Sequence, residues 1–180
     1  MTKKVILILS LMLSSMMASA QNDSVGVYAY VDGSYKQMEP LHSRGTRVIF
    51  GTAGNIFPDK ESTSRFPGTA KFRLYIPDHE IIVKSYFPFA SKYGIRDFGV
   101  VEFVKRSDSR YLQTVSVGLF NVESGAKETK RVSVSTNTVR PGVYDMVVTG
   151  NPGEYCIMLM QAGGEAYGVF DFAIDKAKKK

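Results

Sequence analysis

Two histidines, one cysteine and seventeen carboxylates bound the chemistry open to this chain. A serine or cysteine nucleophile needs an adjacent base and a third group that orients the base. His42 and His79 are the only imidazoles, no Gly-x-Ser-x-Gly elbow occurs, and neither histidine sits in a recognisable motif. Cys156 lies in the run Tyr155-Cys156-Ile157-Met158-Leu159, which predicts a buried, inert thiol. Asp78-His79-Glu80 is the densest group of potential ligands, yet three consecutive residues on a turn rarely converge on one ion. Asp59 and Glu61 lack the Asp-x-Asp-x-Asp-Gly spacing of a calcium loop. A glycosidase would need two carboxylates at a defined separation, which sequence spacing alone does not reveal. The glycines mark turns and form no nucleotide-binding pattern. The expectation is a protein with no catalytic residues, no metal and no cofactor.

Aromatic residues offer a different chemistry, ring stacking. The chain holds ten Tyr and eleven Phe but no Trp. Tyr86-Phe87-Pro88-Phe89-Ala90-Ser91-Lys92-Tyr93 gathers four rings within eight residues, beside Lys84 and Lys92. Exposed on a loop, Tyr86, Phe87, Phe89 and Tyr93 would make a recognition surface for a glycan or a protein. Packed inward, the same rings would cap the end of a core.

These residues need a scaffold, and the chain first suggests where that scaffold works. Lys3 and Lys4 precede an apolar run from Val5 to Met17, and Ala18-Ser19-Ala20 follows with small residues at the cleavage positions. That order reads as a secretory signal over 1–20, the run being shorter than the roughly 20 residues a bilayer span requires. Export to the periplasm or the medium is expected, with no membrane insertion after cleavage. A single cysteine rules out an intramolecular disulfide, so stability must come from a packed core. The formal charge of +6 sits in the tails, on Lys3, Lys4, Lys176, Lys178, Lys179 and Lys180. The body over 21–175 then carries 17 basic and 17 acidic residues, without the electrostatic footprint of a nucleic-acid binder. Residues 176–180 read as a basic tail.

Alternating runs rich in Val, Ile, Phe and Tyr recur between Gly, Pro, Asn, Asp and Ser turns. Val25–Val31 and Tyr35–Met38 flank Asp32-Gly33, a hairpin signal. Thr46–Phe50, Ala70–Ile76, Phe98–Val104, Tyr111–Phe120, Glu128–Ser135, Val143–Val148, Glu154–Met160 and Val169–Ile174 read as further strands, with 52–68 an irregular loop. Tyr86–Tyr93 is the place for a short helix, if there is one. Nine or ten short strands without an amphipathic helix predict one all-β domain over 21–175, an antiparallel β-sandwich of immunoglobulin-like or jelly-roll-like form.

Three segments near the C-terminus carry a likeness. Pro141-Gly142-Val143-Tyr144, Pro152-Gly153-Glu154-Tyr155 and Val169-Phe170-Asp171-Phe172-Ala173-Ile174-Asp175 resemble small, uncharacterised exported proteins of Gram-negative bacteria. Gly26–Tyr30, Ala70–Ile76 and Arg110 before a strand fit the same pattern, while Ala173 stands where those proteins usually have Gly. The resemblance implies an exported β-sandwich and supplies no ligand or functional residue. Together these readings favour a non-enzymatic module binding a protein or glycan at the cell envelope. The alternatives are a polysaccharide-acting hydrolase, or a structural subunit joined to its neighbour through an open sheet edge.

Overall fold

The computed structural model describes residues 24–49, 52–77, 81–83, 89–117, 122–124, 128–160 and 168–177. Its strands are numbered β1 to β16 along the chain, and three sheets hold most of them. One sheet, here the middle sheet, runs β5 (Arg65–Pro67), β16 (Phe170–Asp175), β15 (Gly153–Leu159), β9 (Phe98–Glu102). A front sheet runs β13 (Val132–Arg140), β14 (Val143–Gly150), β6 (Thr69–Tyr75), β1 (Gly26–Val31), β2 (Ser34–Gln37). A back sheet runs β10 (Val104–Lys105), β11 (Ser109–Val117), β4 (Thr52–Pro58), β3 (Gly45–Ile49), with β12 (Val122–Ser124) also paired to β11. β7 (Ile81–Val83) and β8 (Phe89–Ser91) form a small hairpin.

Side-chain parity in the middle sheet explains the stacking. Successive residues of a strand point to opposite faces. Phe98 and Val100, then Tyr155, Ile157 and Leu159, then Phe170, Phe172 and Ile174 all face the front sheet. There they meet Val27, Ala29, Ala70, Phe72, Leu74, Met146 and Val148. Val101, Cys156 and Met158, on the opposite parity, face the back sheet and pack with Phe57 and Leu112. The middle sheet is therefore covered on both sides, and β15 is buried at six of its seven positions. A strand covered on both faces has no reason to alternate apolar with polar, which accounts for the unbroken run Tyr155–Leu159.

Sheet pairing is antiparallel except where β5 lies parallel to β16. The β1–β2 turn has positive φ at both Asp32 and Gly33, 52° and 85°, the conformation a two-residue hairpin prefers. The all-β sandwich expected from the sequence is what the chain adopts, with more strands than the nine or ten expected. Part of the surplus lies in 52–68, which holds β4 and β5 rather than irregular loop. No α-helix occurs among the described residues, and the 86–93 segment contributes β8, with a 3₁₀ turn just after it at Ile95–Asp97.

The largest ring contacts sit where the front and middle sheets meet. Phe72 and Phe172 lie 4.8 Å apart, flanked by Phe66 and Tyr155. Truncating Phe172 to alanine should cost about 3–5 kcal/mol in urea unfolding, because the fully buried ring leaves a cavity between two rigid sheets. Val48→Ala on the exposed edge strand β3 should change stability by less than about 0.5 kcal/mol.

Candidate functional site

The chain's densest described set of titratable groups lies between the middle and back sheets. Arg110, on β11, takes the parity of Leu112 and points inward, where it is 1% exposed. Its guanidinium donates to Asp171 of β16 at 2.7 Å and to Glu154 of β15 at 3.5 Å. Nε donates to the Asp59 carbonyl at 3.2 Å, and the Phe103 ring lies 4.8 Å below the guanidinium. Glu154 is itself 2% exposed and fully engaged. One oxygen accepts from the Ser62 amide at 2.7 Å, and the other meets Arg65 at 3.2 Å and Lys105 at 3.5 Å. Arg65 also grips Asp175 at 2.6 and 3.1 Å, and Glu61 completes the set through Arg65 and Lys105.

Glu154 and Asp171 both carry negative charge onto the buried face of the middle sheet that meets the back sheet, and such groups persist only when paired. The pairing is supplied by three cations from three other elements. A pocket of about 620 Å³ opens at the rim of this cluster, lined by Arg65, Glu102, Lys105, Arg131, Glu154 and Asp175. Its charges are spent on one another: Arg131 meets Glu102 at 2.8 Å, as Arg65 meets Asp175. No group of three or more metal-ligating side chains occurs among the described residues. Chemically, this arrangement clamps two sheets together.

Pairing with Arg65 has a pH signature. The Arg65 hydrogen bonds hold the Asp175 carboxyl below its ordinary range, partly opposed by desolvation. The same bonds raise the Arg65 guanidinium further above its ordinary value. Burial pushes the Cys156 thiol up as well, with the Asp171 charge adding to the effect, so the thiolate needed for reactivity is suppressed.

A second feature is an open sheet edge. β13 ends the front sheet, and its nine residues pair with β14 alone. Val132 and Val134 pack partly on the core, while Ser133 and every residue from Ser135 to Arg140 are exposed. Val132–Val139 contains neither charge nor proline, and Lys130, Arg131 and Arg140 flank it. Other described edges of the three sheets are shorter: β2 has four residues including Lys36, β3 five including Arg47, β5 three ending in Pro67, β12 three and β10 two. β9 is capped where the Thr129 amide donates to the Val100 carbonyl.

The aromatic segment singled out from the sequence divides. Tyr86 and Phe87 lie outside the described residues, and Phe89 opens β8. Tyr93 is 7% exposed and belongs to the main core, so its ring is a packing element and not part of an exposed platform. His42 is exposed, and Asp78, His79 and Glu80 lie outside the described residues. Reading for chemistry in the sequence passed over Glu154 and Asp171. A signal was present: each is a charged residue inside a strand whose neighbours on both parities are apolar. Comparison with protein-family models, curated proteins and solved structures finds no match to this chain.

Two outcomes follow from the cluster. Arg110→Met should destabilise by about 3–5 kcal/mol, since Asp171 loses its partner in a buried setting, and Arg110→Met with Asp171→Met should regain most of that. A single variant within about 1 kcal/mol of wild type would remove the clamp from the account. Asp175 is lowered on folding, so its contribution is present above its unfolded pKa of about 3.9 and is lost as pH falls through the folded value. Urea midpoints taken from pH 7 down to pH 3 should decline less steeply in Asp175→Asn than in wild type.

Proposed function

We propose that the protein is an exported, non-enzymatic binding module that captures an extended segment of a partner protein at the cell envelope. The observation that carries this reading is the open, uncharged edge of β13. An edge strand of this kind offers a row of unpaired amides and carbonyls, and a strand laid against it gains main-chain hydrogen bonds along its length. Natural sheets usually protect such edges with charge, proline or brevity, as β2, β5 and β10 do here.

Charge favours a foreign segment over a second copy. Two β13 strands paired antiparallel along their full length would set Arg131 of one beside Arg140 of the other, and like charges across a strand pair are destabilising. A segment with Asp or Glu flanking an uncharged, β-branched centre suits the same edge. Against the hydrolase reading, the paired carboxylates Glu154 and Asp171 each face cations within the fold. A glycan partner would have to draw on rings other than Tyr93.

The test uses a photo-crosslinking residue at Thr136 in cell envelopes, with the captured segment mapped by mass spectrometry. We expect an extended segment with acidic flanks, crosslinked in wild type and lost in Ser135→Lys/Asn137→Lys, which charges the edge without touching the core. Hydrogen exchange should show new protection of β13 amides in the complex. Capture that survives the lysine pair, or binding of a glycan with no protection of β13, would sink the proposal.

A further inference from the structure

The outer face of the back sheet, on the far side of the molecule from β13, carries a second feature that the clamp and the open edge leave unexplained. Register places Arg47 opposite Gly54 and Gly45 opposite Ile56, and Ile56 in turn opposite Tyr111. Two glycines in adjacent strands leave a trough. Its geometry is not incidental: a Cβ on Gly54 would fall 2.8 Å from the Tyr111 ring and 2.2 Å from the Leu112 carbonyl oxygen. Tyr111 leans across the glycine, and the guanidinium of Arg106 lies 5.1 Å from its ring. The β10–β11 turn, closed by the Arg106 amide donating to the Ser109 carbonyl at 2.9 Å, presents Ser107, Asp108 and Ser109 beside it. From the other side Arg44 enters at the start of β3, where its amide donates to the Ile56 carbonyl at 2.7 Å.

Arg44, Arg47 and Arg106 thus line one pocket of about 560 Å³, with Ile56, Ser107, Asp108 and Ser109. None of the three guanidiniums is bonded to a carboxylate among the described residues. Asp108 is the sole acid in the lining, and it accepts from the Ser109 hydroxyl at 3.0 Å. The Nε of Arg106 is buried without a hydrogen-bond partner, as is the Tyr111 hydroxyl beneath it. Among the described residues Arg65, Arg73 and Arg110 are each bonded to carboxylates. Here three arginines share one pocket with a single acid, Asp108, and none of them is bonded to it.

We propose that this pocket binds a phosphate or sulfate monoester. A carboxylate has two oxygens and is satisfied by one guanidinium fork, whereas three guanidiniums lining one pocket, two from β3 and the residue before it and one from the β10–β11 turn, suit a tetrahedral group with three terminal oxygens. Stacking on Tyr111 fixes the plane of one fork before the anion arrives, which reduces the ordering cost of binding. Ser107 adds a hydroxyl donor, and Asp108, which holds the Ser109 hydroxyl, can also accept from a hydroxyl on the organic part of the ester. The volume accommodates a group of monosaccharide size beyond the anion. This site is independent of the β13 edge, so either can fail without the other.

The experiment is an NMR titration of the purified protein with inorganic phosphate, with glucose 6-phosphate and with glucose. It runs beside sedimentation with phosphatidylcholine vesicles, with and without phosphatidic acid. We expect amide shifts at Ser107–Ser109 with phosphate and larger ones with glucose 6-phosphate, none with glucose, and weakening with added salt. Arg44→Gln and Arg106→Gln should each weaken binding about tenfold, the loss of one charge-assisted hydrogen bond, while leaving the thermal midpoint and β13 exchange unchanged. Tighter binding of glucose 6-phosphate than of phosphatidic acid vesicles supports a soluble sugar ester; the reverse order, lost in the same variants, supports a lipid headgroup carrying the same chemistry. Shifts that are absent with every phosphate, or unaltered by either arginine substitution, would overturn the assignment.

Discussion

Everything in this fold answers to a sheet that is covered on both faces. The middle sheet has no wet side, so each polar group it carries must find its partner inside the protein or be absent. β15 and β16 comply at all but two inward positions, Glu154 and Asp171, and those two decide how the back sheet docks. Arg110 must arrive from β11 at the correct register to reach both, with Phe103 packed against its guanidinium. A slip of one residue along β11 would turn Arg110 to solvent and place Tyr111 against the acids. The ion pairs therefore act chiefly as a register lock. Desolvation offsets much of their Coulombic gain, so the intact pairs add little net stability, while removing one partner alone is costly.

Covering the middle sheet moves all open surface to the front and back sheets, and these solve different problems. On the front sheet's outer face, Arg73 bridges to Asp145 on neighbouring β14 at 2.7 Å and lies 4.3 Å from the ring of Tyr35 on β2, a clasp that reaches over β1. Asp145 in turn accepts from the Tyr35 hydroxyl, whose phenol is shifted up by burial first and by that neighbouring carboxylate second. Charge there is closed on itself. Charge on the back sheet's outer face is left open around Arg44, Arg47 and Arg106. β13 departs in yet another way, carrying no charge at all across eight residues.

Much of the strand pattern was legible because period-two alternation and turn chemistry are local. Ala70–Tyr75 alternates since one face meets the core and the other meets solvent, and Asp32-Gly33 specifies its hairpin through backbone preference alone. The third layer was not legible. An unbroken apolar run such as Tyr155–Leu159 is compatible with a strand covered on both faces, but the run does not say what covers it. β4 escaped notice because Gly54 and Asn55 are turn-formers, and only the approach of β11, through the Leu112 carbonyl, the Gln113 backbone and the Tyr111 ring, explains why a glycine belongs in that strand. Tyr93 shows the converse limit: a cluster of rings in sequence does not reveal which of them a core will absorb.

The same locality separates the clamp from the surfaces proposed to bind. A charged residue inside a both-faces-buried strand predicts a partner, and Arg110 is the nearest strand-borne cation on the layer behind it. Surface function has no such internal requirement. An arginine without a carboxylate, or a long edge without a charge, is stable in water and leaves no trace in strand periodicity. Such features become visible only when register sets Arg47 opposite Gly54, with Tyr111 leaning over from the neighbouring pair, or leaves β13 with one neighbour instead of two. For this fold the residues that hold the layers together are constrained by burial, and the residues proposed to meet a ligand are singled out by what they lack, a partner within the protein.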